Sequence, residues 1–170
     1  MTEGVQTLIT QAPWLRRLAA LLYDLLIVLA LQLVVGLLVQ LALQARLVAV
    51  QGGHAHVPVP YQGLQFMVVC GYFVLSWWRG GQTIGARAWR LRVVDSYGMT
   101  LRFPRALLRA AVAALPLLAL LLGFVASVQT ALMAVLALWV IDYASASVVT
   151  GRRTLHDRIS GTRLVSLSRG

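Results

Sequence analysis

Two carboxylates stand where a carboxylate is costly. Asp24 lies in the apolar run Leu18 to Leu43, and Asp142 lies in the run Gln129 to Val149. Placing such a group in a transmembrane helix costs roughly 2.5–3.5 kcal/mol on insertion scales, so each must face protein or water. There it can hold a proton, hold a small cation, alternate between the two, or pair with an arginine. By helix rise, Asp24 is about 9 Å from the arginine-bearing start of its run and Asp142 about 10 Å from the arginine-bearing end of its own. Neighbouring helices would therefore set the two at similar depth, able to share a proton or a cation. Arg105 and Arg109, one turn apart, are placed to meet Asp24 or Asp142 across helices. Arg17 lies two turns before Asp24, beyond the usual three- or four-residue pairing distance. The plainer reading of such pairs is that they only lock helices together.

Other chemistries find little support. His54 and His56 form His-Ala-His, but a structural zinc needs four ligands, so the pair reads as part of a solvated loop. Cys70 sits alone in an apolar run and reads as a packing residue. The chain has no lysine, which excludes Schiff-base and Walker-type chemistry. No nucleophile–base pair, phosphate-binding glycine loop or metal-ligand cluster is present in the sequence. Neither an enzyme, a cofactor nor a metal site is expected.

The elements that must position the carboxylates follow from composition. Of 170 residues, 59% are hydrophobic and 12% charged, with a mean hydropathy of +0.79. Soluble domains are more polar, so lipid is the expected solvent. All 15 basic residues are arginine and the formal net charge is +10. They flank apolar runs rather than form a basic domain, so the partner is a bilayer and not a nucleic acid. Four runs are read as spans: about 18–43, 61–78, 107–122 and 129–149. The first is too long for a signal peptide and carries Asp24, so it reads as uncleaved. The last two divide at Gly123–Gln129, and Pro116 is expected to kink the third.

The arginines concentrate in the N-terminus, the loop 79–106 and the tail 150–170. Four crossings put all three on one side, which the positive-inside rule makes cytoplasmic, with both termini there. The fold class expected is an all-α membrane protein with four transmembrane helices and a small cytoplasmic β-element. In the loop, Leu91–Val94 and Thr100–Phe103 flank Asp95-Ser96-Tyr97-Gly98 as a hairpin would. In the tail, Thr154 is placed to cap a helix with Asp157 three residues on, and Gly161 ends it. Thr162–Leu167 reads as a strand able to pair with the loop. Gly80, Gly81 and Gly85 read as turn punctuation after the second span.

Three motifs in order resemble the RDD family, named for one arginine and two aspartates. They are Arg17-Leu-Ala-Ala20-Leu-Leu-Tyr-Asp24; Gly81-Gln82-Thr83-Ile84-Gly85 with Leu91-Arg92-Val93-Val94-Asp95 and Gly98; and Leu155-His156-Asp157-Arg158 with Gly161-Thr162. The resemblance covers residues 14 to 165, so the whole chain reads as one transmembrane domain. It places the family arginine on Arg17 and the two aspartates on Asp24 and Asp157, and leaves Asp142 outside the signature. Ala86 stands where a basic residue is common in the family, with Arg87 beside it. A bacterial inner membrane is implied, together with the cation/proton antiport reported for some members. From its surroundings alone Asp157 is a surface helix cap. If the tail folds back under the bundle, Asp157 reaches Arg17 and forms a latch below Asp24.

Two functions from different classes remain open. One is transport of a small cation coupled to protons through Asp24 and Asp142; four helices are few for a complete pathway, so a homo-oligomer is expected. The other is an accessory or scaffold role towards a membrane-protein partner. A third reading gives the arginine-rich face to anionic headgroups.

Overall fold

The structure is a computed structural model describing residues 10–43, 49–51, 54–124, 127–148 and 154–167. Strand β1 (Thr10–Gln11) leads into helix α1 (Trp14–Ala42). A ribbon of β2 (Ala49–Gln51) and β3 (His54–His56) precedes α2 (Val59–Gly80). A short helix α3 (Ile84–Ala88) and strand β4 (Leu91–Asp95) then lead to α4 (Phe103–Ala114), which continues as a 3-10 segment, Leu115–Phe124. Helix α5 (Val128–Val148), the short α6 (Leu155–Ile159) and β5 (Thr162–Ser166) complete the chain.

Among the described residues, four helical stretches are long and apolar enough to cross a membrane: Trp14–Ala42, Val59–Gly80, Phe103–Leu120 and Val128–Ser145. Their burial is inverted relative to a soluble bundle. In α1 the buried residues are Arg17, Ala20 and Asp24, while Leu22, Leu26, Leu33, Leu37 and Leu41 are exposed. An apolar exterior around polar interior groups is what hydrocarbon as solvent selects. At 29 residues α1 is about 44 Å long, more than the hydrocarbon core requires. It begins four residues before the expected start at Leu18, which sets Arg17 inside the helix.

Prolines and capping residues set the boundaries. Pro60 and Pro104 occupy the first turns of α2 and α4, where the missing N–H has no intrahelical partner to lose. Gly81 ends α2 in the left-handed region at φ 67°, and its N–H donates to the Trp77 carbonyl. At Pro116 the third span changes character. Proline cannot donate to the Val112 carbonyl, and the Leu115 N–H donates to it instead, which tightens the helix into the 3-10 form. The expected division at 123–129 lies partly outside the described residues; α5 starts at Val128.

The small β-element is a three-stranded antiparallel sheet in the order β1-β5-β4. Its register pairs Thr10 with Ser166, Arg92 with Val165 and Asp95 with Thr162. The N-terminal segment, the loop and the tail thus meet at one end of the bundle. The expected hairpin within the loop does not form. Residues after Asp95 make a tight turn closed by the Asp95 N–H to the Met99 carbonyl at 2.9 Å, and Phe103 already begins α4. The tail strand takes the place beside β4 that the hairpin's second strand was expected to fill. On the inner face of the sheet, Val93 packs with Val74, Trp77, Leu101, Ala106 and Ala110, and Leu91 packs with Ala12, Ala20 and Ala86. His54 and His56, read as loop, lie on β3 of the separate ribbon; their side chains lie outside the described residues.

Candidate functional site

Asp24 faces inward from α1 and is 5% exposed. Its Oδ1 accepts from the Tyr72 hydroxyl at 2.6 Å and the Gly85 N–H at 2.9 Å, and its Oδ2 accepts from the Thr83 hydroxyl at 2.6 Å. Thr83 serves two ends at once: its Oγ1 also accepts the Ala86 N–H at 3.1 Å, capping α3. Gly85 brings the α3 backbone against α1, because a Cβ there would collide with the Ala20 carbonyl and lie 2.8 Å from the Asp24 carboxyl carbon. Gly85 is therefore more than the turn punctuation that spacing suggested. No arginine pairs with Asp24 among the described residues, and neither Arg105 nor Arg109 meets it.

Asp157 is 1% exposed and sits between two arginines. Arg17 Nη1 reaches its Oδ2 at 3.5 Å, and Arg109 Nη1 donates to its Oδ1. Arg17 also donates to the carbonyls of Ala12 at 3.1 Å and Leu164 at 3.3 Å, tying α1 to the sheet. Arg109 donates to the Thr162 hydroxyl and stacks over Trp77, with 4.9 Å from guanidinium carbon to ring centre. The Arg17–Asp157 latch therefore exists, with Arg109 as its third member. Thr154 caps the tail helix as expected, its hydroxyl accepting the Asp157 N–H at 3.3 Å, but Asp157 is buried rather than at the surface, because its carboxylate turns inward to the two arginines.

Asp142 does not share a partner with Asp24. Its Oδ1 accepts the His156 N–H at 3.1 Å, and its Oδ2 lies 2.5 Å from His156 Nδ1. His156 Nε2 is 3.2 Å from Arg109 Nη2. Arginine only donates, so Nε2 accepts and the ring proton sits on Nδ1, directed at Asp142. Sequence reasoning missed His156 as the partner of Asp142, and missed Tyr72 and Thr83 as partners of Asp24. Arg105 lies apart from the site, and its exposed side chain pairs with the buried Asp95 at 3.1 Å.

Burial raises the Asp157 carboxyl, but the guanidinium groups, Arg109 first and then Arg17, outweigh it and hold the group below the ordinary carboxylate value. A depressed folded value contributes stability that is present above the unfolded value, about 3.9, and is lost as pH falls through the folded one. Asp95 acts in the same sense, lowered chiefly by the Met99 N–H. The thermal midpoint should therefore hold down to the ordinary carboxylate range and fall below it. Asp157→Asn should shrink that acid slope and leave the Asp95 share; an unchanged slope would exclude Asp157 as its main source.

A cavity of about 130 Å³ joins the two sites, with Asp24 and Thr83 on one wall and Arg17, Asp157, His156 and Tyr143 on the others. Space bounded by such groups accommodates water or a small ion. Compared with curated proteins and with solved structures, the chain matches none. Against protein-family models it matches the RDD family over residues 11–161. Arg17, Asp24 and Asp157 gather around one cavity, and with the match running through nearly the whole chain this membrane protein belongs to the RDD family.

Proposed function

We propose that the chain is a carrier rather than an enzyme, exchanging a small monovalent cation for protons at Asp24 in a bacterial inner membrane. Its arginine-bearing end is then cytoplasmic, by the positive-inside rule. One observation carries this reading: Asp24 is a buried carboxylate bordering the cavity, and its described partners are all uncharged. The hydroxyls of Tyr72 and Thr83 can rotate, donating to the carboxylate or turning lone pairs towards a proton or cation held there. Asp157, between two arginines, and Asp142, against His156, are committed to fastening the tail. That fastening favours an accessory role as the second reading.

Protein reconstituted in vesicles should move protons in response to a sodium or potassium gradient, and Asp24→Asn should abolish the movement. Full flux in Asp24→Asn would overturn the proposal. No flux from the wild type, together with a stoichiometric partner on gentle purification, would establish the accessory role.

A further inference from the structure

A second polar cluster lies between α1 and α2, beyond Asp24 and away from the sheet. It consists of Gln32 on α1 and Gln65 and Tyr61 on α2. Gln65 Nε2 donates to the Gln32 backbone carbonyl at 3.4 Å and to the Tyr61 hydroxyl. With that donor engaged, the side-chain oxygens Gln32 Oε1 and Gln65 Oε1 are both buried and have no hydrogen-bond partner among the described residues. Gly36 makes room for the group, because a Cβ there would lie 2.8 Å from the Tyr61 hydroxyl oxygen.

Two dehydrated amide oxygens in adjacent membrane helices are unfavourable unless something positive meets them. Each such orphan has lost its hydration without a replacement bond, and hydrocarbon offers no water to relieve it. The cluster is also in line with the Asp24 site. Gln32 is eight residues beyond Asp24, about 12 Å along α1. Gln65 is seven residues from Tyr72, the partner of Asp24, and so lies on nearly the same face of α2, about 10.5 Å away.

We infer that Gln32, Gln65 and Tyr61 form a subsite for an alkali-metal cation, two helical turns beyond Asp24. This rests on the transport reading and names its cargo. Neutral oxygen ligands suit an alkali cation: amide carbonyls replace part of its hydration shell, and the absence of a formal charge lets the ion leave again. Asp24 supplies the charge and the proton exchange, and the subsite supplies a resting place between Asp24 and the far side of the bilayer.

The test uses purified full-length protein in lipid nanodiscs, with thermal midpoint as the readout. Sodium or potassium chloride is compared with equal concentrations of N-methylglucamine chloride. The wild type should gain stability from one alkali cation. The double variant Gln32→Leu, Gln65→Leu should lose that gain or need about tenfold more salt to reach it. If the double variant does not fold, Gln65→Leu alone is read in the same way. An alkali-cation gain kept intact in the leucine variants would overturn the subsite, as would no gain in the wild type. The first result leaves Asp24 untouched, its role being read separately by vesicle flux, whereas the second would count against cation binding at Asp24 as well. A glutamine-dependent gain in a protein without flux would keep the subsite and remove the transport reading.

Discussion

Asp157→Asn is expected to cost about 3–5 kcal/mol of stability, the figure for removing one partner of a buried ion pair. The side chain changes little in size, so the loss is electrostatic: Arg17 and Arg109, 5% and 4% exposed, are left facing one another without a counter-charge. Because Asp157 joins the tail to both α1 and α4, the loss should release the tail together with the sheet. Thermal unfolding in detergent gives the magnitude, and limited proteolysis near α6 shows where the structure opens. The geometry also limits rescue. Exchanging the charges, Arg17→Asp with Asp157→Arg, restores one attraction but sets the new guanidinium against Arg109. Rescue should therefore be partial, and full rescue would show that Arg109 is not a working member of the network.

Gly85→Ala separates two opposed effects. Alanine is favoured over glycine in a helix by about 1 kcal/mol, so propensity alone predicts a gain. At Gly85 the added methyl meets a backbone carbonyl, that of Ala20, and the Asp24 carboxylate, neither of which yields cheaply. Crowding of this kind costs about 1–3 kcal/mol and should win. To make room, α3 must move off α1, withdrawing the Gly85 N–H and the Thr83 hydroxyl from Asp24. The variant should be less stable than wild type and should lose Asp24-dependent flux. A stability gain with normal flux would mean that α3 does not organise Asp24.

The spans were legible because hydrocarbon imposes a simple rule: about twenty apolar residues to a crossing. Asp24 was legible for the same reason, as a charge where a charge is expensive. Its partners were not. Tyr72, Thr83 and the Gly85 N–H come from the interior of α2, the N-cap of α3 and its first turn, 48 to 61 positions away, and no local pattern marks a hydroxyl as a carboxylate's donor. Asp142 and His156 are 14 positions apart across a span end, and local reasoning placed His156 only in a helix start. For Asp157, local chemistry correctly gave a capped helix, while the family resemblance pointed to Arg17. The third member, Arg109, was expected to reach the intramembrane aspartates instead. The loop hairpin failed because Asp95 closes a tight turn through its own side chain, accepting from Tyr97 N–H at 2.9 Å and Met99 N–H at 3.0 Å. Pro104 then starts α4, and β4 pairs with a strand from the far end of the chain.

The central claim is that Asp24 holds either a proton or a cation. It is tested most directly by proton release from weakly buffered, purified protein on addition of sodium or potassium chloride, with N-methylglucamine chloride as control. Wild-type protein should release protons with an alkali cation and not with the control, and Asp24→Asn should release none. Equal release from Asp24→Asn would contradict the assignment of the exchange to this carboxylate.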